Sequence, residues 1–117
     1  MKKSDRLFFI YKSIRAILKK YKPDEAAIEI LYFGKNVSSA IPVAEARGVI
    51  LAAIAELAIP IREVTPNELK KSVTGTARAE KKQVQEMAKI ILSLEEIPKP
   101  DHAADALGAA ICCANSY

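Results

Sequence analysis

The chain has 117 residues, of which 50% are hydrophobic and 27% carry a charge, so it is long enough for one packed domain and too apolar for a disordered segment. No apolar stretch reaches the roughly 18 residues that a membrane span needs, and the N-terminal segment lacks the apolar core of a signal peptide. The net charge of +4 permits binding to a polyanion without requiring it. The only two cysteines, Cys112 and Cys113, are adjacent, and adjacent cysteines rarely pair with each other. We therefore expect a cytoplasmic chain with reduced thiols. We expect no membrane partner.

The first half of the chain predicts a helix, a strand and a second helix. Apolar residues at helical spacing indicate a helix over 5–21, with Ser4 as its N-cap. The short apolar segment 25–31 is typical of a buried strand. Pro42 fits the first turn of a helix that extends to about Leu57 and carries mostly small side chains.

The second half predicts another strand and three helices. Segment 59–64 has the composition of a short strand, and Thr, Pro and Glu in 65–68 stand in the register of a capping box. That short helix should end near Val73, before a loop. The next helix covers 81–94, and helical spacing places Val84, Met87, Ala88, Ile91 and Leu92 on its inward face. Asp101 should cap a last helix that runs to about Ala114.

The predicted order is α-β-α-β-α-α-α, which is an α/β arrangement. Strands that alternate with helices are usually parallel and are joined by right-handed crossovers. Two parallel strands are too few for a sheet that helices cover on both faces. We therefore expect a single α/β domain over 1–117 whose sheet lacks strands that would precede residue 1.

Glu29 is the first candidate for chemistry, because it interrupts an otherwise apolar strand. A carboxylate in such a place costs several kcal/mol unless it is paired or bound to a cation. A structural role is equally open at this point, since Glu29 could face solvent on an edge strand or neutralise a lysine.

The second candidate lies at the start of the last helix. His102 and Asp105 are three residues apart, so they share one helix face among small apolar neighbours. Carboxylate and imidazole ligands close together suit Mg²⁺ or Mn²⁺. Asp101 needs only the ordinary role of an acidic residue beside a helix N-terminus.

The third candidate is a set of basic residues in loops and near helix ends, together with two aromatic residues. A glycine-containing loop followed by Arg-Ala-Glu-Lys-Lys suits contact with a phosphate backbone, and aromatics beside a lysine suit stacking on unpaired bases. A solvated surface and core packing are the alternative roles. The candidate DNA-binding residues are Tyr32, Phe33, Lys35, Lys70, Lys71, Arg78, Lys81 and Lys82.

Four parts of the sequence together resemble the RuvC family of Holliday-junction resolvases. The strand and loop 27–36 resemble the segment with the second catalytic carboxylate, and Ala-Glu-Ala-Arg-Gly-Val at 44–49 resembles a helix motif of the family. Segments 65–75 and 79–85 resemble its DNA-facing part, and 102–107 resembles its C-terminal catalytic helix. The resemblance covers nearly the whole chain in order.

The resemblance implies an RNase H-like fold and a homodimer that cuts four-way DNA junctions with Mg²⁺ or Mn²⁺, alongside the RuvA–RuvB branch-migration complex. It makes Glu29 and Asp105 catalytic, metal-binding carboxylates and His102 a ligand or a proton carrier near the metal. Tyr32 would act on junction bases, and Lys70 and Lys81 would support cleavage.

The sequence also departs from the family pattern. Family members begin with a strand that carries an aspartate in a Gly-Ile-Asp-Pro-Gly-like motif, and this chain has no such motif. We therefore expect an RNase H-like fold without its first three strands, with little nuclease activity. We also expect a homodimer through helix 42–57 or a swapped oligomer, because an open sheet edge must be covered. A non-catalytic module that binds junction DNA, an inert remnant, and a different nuclease of the same fold stay open as alternatives.

Overall fold

A computed structural model describes residues 2–30 and 37–115 of the chain. Its order of elements, α-β-α-β-α-α-α, confirms the predicted order. Within the described part, none of the helices combines the length and the apolar character that crossing a membrane requires. The elements are α1 (Lys3–Tyr21), β1 (Ala26–Glu29), α2 (Val37–Glu56), β2 (Ile61–Val64), α3 (Pro66–Thr74), α4 (Lys81–Ile91) and α5 (Asp101–Ala114).

The chain divides into two compact units. Unit 1 is formed by Met1–Ala26 and Tyr32–Ile61, and unit 2 by Ala27–Leu31 and Arg62–Tyr117. Helices α1 and α2 therefore belong to unit 1, whereas α3, α4, α5 and most of both strands belong to unit 2. A single domain over 1–117 stays a prediction.

In unit 1, α1 and α2 pack side by side in the same direction. Lys3 Nζ, at the start of α1, lies 3.5 Å from Glu45 Oε2, and Arg15 Nε lies 3.0 Å from Glu56 Oε1 further along both helices. Small residues such as Ala53, which is fully buried, allow the two helices to approach closely.

The starts of both helices of unit 1 differ from the prediction. Lys2, and not Ser4, is the N-cap of α1, and no side chain caps this end. Helix α2 begins at Val37, so Pro42 lies inside it and not in its first turn. A proline there removes the hydrogen bond to the carbonyl of residue 38 and crowds that carbonyl, and the rest of a 20-residue helix offsets these costs.

The two strands form a short parallel sheet. The N–H of Ala26 donates to the carbonyl of Pro60 at 2.9 Å, and the N–H of Ile30 donates to the carbonyl of Val64 at 2.7 Å. From the first bond to the second, the donor and the acceptor each move four residues forward along the chain. The strands therefore run parallel in this register. β2 begins at Ile61 and not at residue 59, because Pro60 has no N–H to donate.

The core of unit 2 lies between the sheet and the three C-terminal helices. Small side chains on α5 let it lie directly on α3, where the Cα of Gly108 faces Leu69. The buried residues of this core are Val64, Leu69, Val73, Ala79, Val84, Ala88, Ala109, Ile111 and Cys112.

Two helix ends of unit 2 also correct the prediction. Helix α4 stops at Ile91 and not at residue 94, and Ile91 and Leu92 are 44% and 40% exposed although helical spacing placed them inward. Ser93 has a φ of 54°, a left-handed conformation that ends the helix. Asp101 is the first residue of α5 and Pro100 is its N-cap, so Asp101 does not cap the helix.

Thr65 caps α3 as predicted, since its Oγ1 accepts a hydrogen bond from the N–H of Glu68 at 3.1 Å. Replacing Thr65 by alanine leaves that N–H without this partner and should lower the free energy of unfolding by about 1 kcal/mol. Urea unfolding followed by circular dichroism measures the loss. Thr65→Ser keeps the acceptor and should be close to the unaltered protein, whereas equal stability of the alanine and serine variants would contradict a capping role.

Candidate active site

Glu29, His102 and Asp105 line one cavity of about 290 Å³ in unit 2, so the structure brings the three predicted catalytic residues together. Glu29 is the last residue of β1 and is half-buried. Asp105 is half-buried and His102 is exposed, one turn of α5 apart. The rest of the lining consists of Ala27, Ile28, Ala106 and Ala109.

The local sequence explains how these side chains reach the cavity. Parallel strand β1 carries Glu29 to its carboxyl end, which is where functional groups of α/β sheets usually gather. Spacing of three residues on α5 places His102 and Asp105 on one face of that helix. Alanines beside them occupy little space, so the cavity stays open to the two acidic groups.

The two carboxyl groups interact electrostatically. Burial raises the pKa of Glu29 above its ordinary value, and the negative charge of Asp105 raises it further. His102 and Lys70 act in the opposite direction, because positive charge favours the ionised carboxylate. A cavity that holds two mutually repelling carboxylates is a favourable place for a cation.

A second cavity of about 170 Å³ shares these two acids and adds two lysines. Its lining includes Glu29 and Asp105 together with Lys70 of α3 and Lys81 of α4. Lys81 Nζ donates a hydrogen bond to Asp101 Oδ2 at 3.1 Å, which holds the pKa of Asp101 below its ordinary value. The remaining lining residues are Pro66, Leu69 and Val84.

Other predicted DNA-binding residues lie elsewhere. Three of them are exposed and line neither of the two cavities: Lys71 on α3, Arg78 on the loop that follows it, and Lys82 on α4. Tyr32, Phe33 and Lys35 lie outside the described residues. Of the described residues in the predicted basic set, only Lys70 and Lys81 therefore border the two acidic groups.

The donor set fits a hard divalent cation in its chemistry, since two carboxylates and an imidazole share one cavity. Within residues 2–30 and 37–115, however, no three His, Cys, Asp or Glu side chains are grouped closely enough to hold a metal ion. The cavity therefore offers carboxylate ligands without a complete preformed set among the described residues.

The contact between Asp101 and Lys81 was not predicted from the sequence, which gave Asp101 only a helix-end role. The two residues begin helices α5 and α4, and they meet because these helices pack with their N-terminal ends together. The local pattern offered one signal, an acidic residue and a basic residue that each begin a helix.

Comparisons with known proteins identify the family of the chain. The family model of crossover junction endodeoxyribonuclease RuvC matches residues 1–113. The RuvC of Treponema denticola is 56% identical over 107 residues, which are 92% of this chain and 60% of that protein. The RuvC of Heliobacterium modesticaldum is 49% identical and is matched over 97% of this chain and 70% of its own length.

A solved structure shows the same similarity in three dimensions. The structure of Thermus thermophilus RuvC in complex with Holliday junction substrate has a TM-score of 0.92 and 31% sequence identity, and the match covers 97% of this chain and 69% of that one. The chain thus spans about 60% of the Treponema denticola relative and about 70% of the other two. With a family model that matches nearly its whole length and an RNase H-like α/β fold, the chain belongs to the RuvC family of crossover junction endodeoxyribonucleases.

Proposed function

We propose that this chain contributes to the metal-dependent hydrolysis of phosphodiester bonds in four-way junction DNA, with the low cleavage activity expected of an incomplete ligand set among the described residues. One observation carries the proposal: the cavity lined by Glu29, His102 and Asp105 adjoins a second cavity that Lys70 and Lys81 border. Acidic groups suited to a cation and basic groups suited to a phosphate therefore lie side by side, which is the arrangement that phosphoryl chemistry requires.

Each residue of the site has a proposed role. Glu29 and Asp105 hold Mg²⁺ or Mn²⁺ through carboxylate oxygens, and the exposed His102 serves as a further ligand or carries a proton near it. When bound, such an ion supplies Lewis-acid stabilisation of a phosphate and activates a water molecule. Lys70 and Lys81 neutralise the scissile phosphate, and the 3.1 Å bond from Lys81 to Asp101 keeps Lys81 at the edge of the cavity.

The outer basic residues extend the proposed DNA surface. Lys71, Arg78 and Lys82 are exposed, so they are free to reach phosphates beyond the cavity. For Tyr32, Phe33 and Lys35 we retain the sequence-based proposal of stacking and charge contacts with unpaired junction bases. The Thermus thermophilus relative, solved with a Holliday junction substrate, supports four-way junctions as the DNA of interest.

A binding experiment tests this function. The chain should bind a four-way junction more tightly than a duplex of equal length, with an affinity that falls as salt rises. Lys70→Gln should weaken junction binding several-fold, because the lysine faces the carboxylate-lined cavity, and Lys89→Gln on α4 is the matched control. Equal affinity for junction and duplex would refute the proposal.

A non-catalytic junction-binding module is the second candidate. The lack of a complete three-ligand group among the described residues favours it. It differs from the first candidate in two results, since it binds junctions equally with and without Mg²⁺ or Mn²⁺ and releases no cut strands. Gel analysis of labelled junction strands, incubated with each ion, separates the two functions.

We further propose a homodimer through α2. Ile41 and Val43 of this helix are 52% and 39% exposed, and pairing with a second copy would cover them. Light scattering at working concentration gives the mass, and a strictly monomeric species would contradict the dimer. Association with a RuvA–RuvB complex stays a prediction from the family resemblance.

A further inference from the structure

The positive charge of the chain is concentrated on its first helix. Residues 2–22 carry a net charge of +7, compared with +4 for the whole chain, so all other residues together are net negative. The chain's attraction for a polyanion therefore lies mainly on α1 and not on the part that contains the proposed active site. The charged residues of this segment are Lys2, Lys3, Asp5, Arg6, Lys12, Arg15, Lys19, Lys20 and Lys22.

Internal ion pairs account for only part of this charge. Lys3 pairs with Glu45, and Arg15 pairs with Glu56. The exposed lysines at positions 12, 19, 20 and 22 have no carboxylate partner within the described parts of the chain. Four lysines without a carboxylate partner in the described part of unit 1 are available to an external anion.

Lys12 and Lys19 lie on one face of α1. They are seven residues apart, which is two helical turns or about 10 Å along the axis. Both line a groove of about 460 Å³, and Lys12 Nζ lies 5.0 Å from the ring centroid of Phe8, which is 57% exposed. Tyr11, Arg15 and Ala16 complete the groove.

We propose that the lysine face of α1, formed by Phe8, Lys12 and Lys19 with Lys20 and Lys22 at its C-terminal end, is a second DNA-contact surface that binds backbone phosphates without reading sequence. This inference rests on the proposed function, because it assigns α1 to the same junction DNA. Lysine ammonium groups act as point charges for phosphate, and the exposed Phe8 ring offers an apolar surface to a sugar or base.

Exposed aromatic and basic residues could also suggest a membrane-surface helix, but the arrangement favours DNA. An interfacial helix separates an apolar face from a charged face. On α1 the exposed apolar residues Phe8, Phe9, Ile17 and Tyr21 are spread around the helix. Phe9 projects between the directions of Lys12 and Lys20, so no continuous apolar face exists on the described helix.

The salt dependence of DNA binding tests this surface. The double charge reversal Lys12→Glu/Lys19→Glu should weaken binding to both four-way junctions and duplexes at least about tenfold near 0.1 M salt, and should reduce the slope of log K against log salt by about 2. The control Lys89→Glu/Lys99→Glu changes the net charge equally on unit 2 and should retain the original slope. Circular dichroism and thermal unfolding verify that each variant is folded, and Lys12→Arg/Lys19→Arg should keep the binding.

The possible outcomes are distinct. A slope that is unchanged in the α1 double reversal, or reduced equally in the control, overturns the inference. Reduced binding to phosphatidylserine vesicles with unchanged DNA binding also overturns it and assigns α1 to a membrane surface. If the unaltered chain binds junctions no better than duplexes, the proposed function fails instead. If the α1 double reversal still prefers junctions and its salt slope is unchanged, the second DNA-contact surface is rejected and the proposed function is retained.

Discussion

Asp105→Asn and Glu29→Gln are each expected to lower the affinity for Mn²⁺ by at least about 100-fold, since even second-sphere changes at metal sites cost roughly 10- to 100-fold. Each variant replaces one of the two carboxylates that line the cavity while keeping its size. Titration calorimetry or the electron paramagnetic resonance of free Mn²⁺ measures the affinity. Glu86→Gln, an exposed position on α4, is the control and should bind Mn²⁺ like the unaltered chain. If the unaltered chain and the three variants bind Mn²⁺ with equal affinity, the proposal that this cavity holds a metal ion is wrong.

The same site should bind the ion more weakly as pH falls. Burial and the charge of Asp105 raise the pKa of Glu29 above its ordinary value of 4.5, so protons compete with the cation at a higher pH than for an exposed glutamate. Asp105→Asn removes the repulsion and should shift the residual pH dependence toward lower pH. A pH dependence that does not move in Asp105→Asn would show that the two carboxyl groups do not interact.

Glu29→Gln should raise the stability of the metal-free chain, although it should lower the affinity for the metal ion. Because the pKa of Glu29 is higher in the folded state than in the unfolded state, its ionisation disfavours folding, and this penalty is present at neutral pH and disappears as pH falls below the unfolded value. Without added metal, the variant should therefore be slightly more stable at pH 7, with a small gain because solvent screens the charge of this partly exposed carboxylate. Urea unfolding at pH 7 and near pH 4 measures it, and a less stable variant at pH 7 would contradict this sign.

Gly108→Val is expected to lower the free energy of unfolding by about 3 kcal/mol, the upper range for overpacking a core. A Cβ at position 108 would lie 2.8 Å from Leu69 Cδ2 and 3.0 Å from Leu69 Cγ, and Val73 Cγ2 would be 3.4 Å away. Leu69 is 2% exposed and packs in the core of unit 2, so displacing its side chain disturbs that packing. The added side chain must therefore separate α5 from α3, the helices that carry Asp105 and Lys70.

Gly48→Ala is the matched control for this prediction. Gly48 is an exposed helical residue of α2, and a Cβ there would meet nothing within 4 Å. Alanine favours a helix over glycine by about 1 kcal/mol, so this variant should be slightly stabilised. Urea unfolding compares the two variants directly. A Gly108→Val protein as stable as the unaltered chain would mean that α3 and α5 are not closely packed.

Local sequence patterns were sufficient for the order of the elements and for several of their ends. Helical spacing of apolar residues predicted α1 and α5, and the Thr65 cap is a local interaction that depends only on residues 65–68. The start of α2 was predicted wrongly, because a single proline costs less than the helix gains from its other residues. The prediction that Ile91 and Leu92 face inward was also wrong, because apolar periodicity does not reveal where a neighbouring element stops covering a helix.

For the candidate site, the sequence by itself determined which residues have the right chemistry. A carboxylate in an apolar strand, and a histidine and an aspartate on one helix face, were visible as patterns, and family resemblance joined them into one site. Only the tertiary structure decided that Glu29 and Asp105 lie close enough to shift a pKa, and that Lys81 pairs with Asp101. The physical reason is that these contacts join elements far apart in the chain. They depend on how closely α3, α4 and α5 pack, and no local pattern encodes that distance.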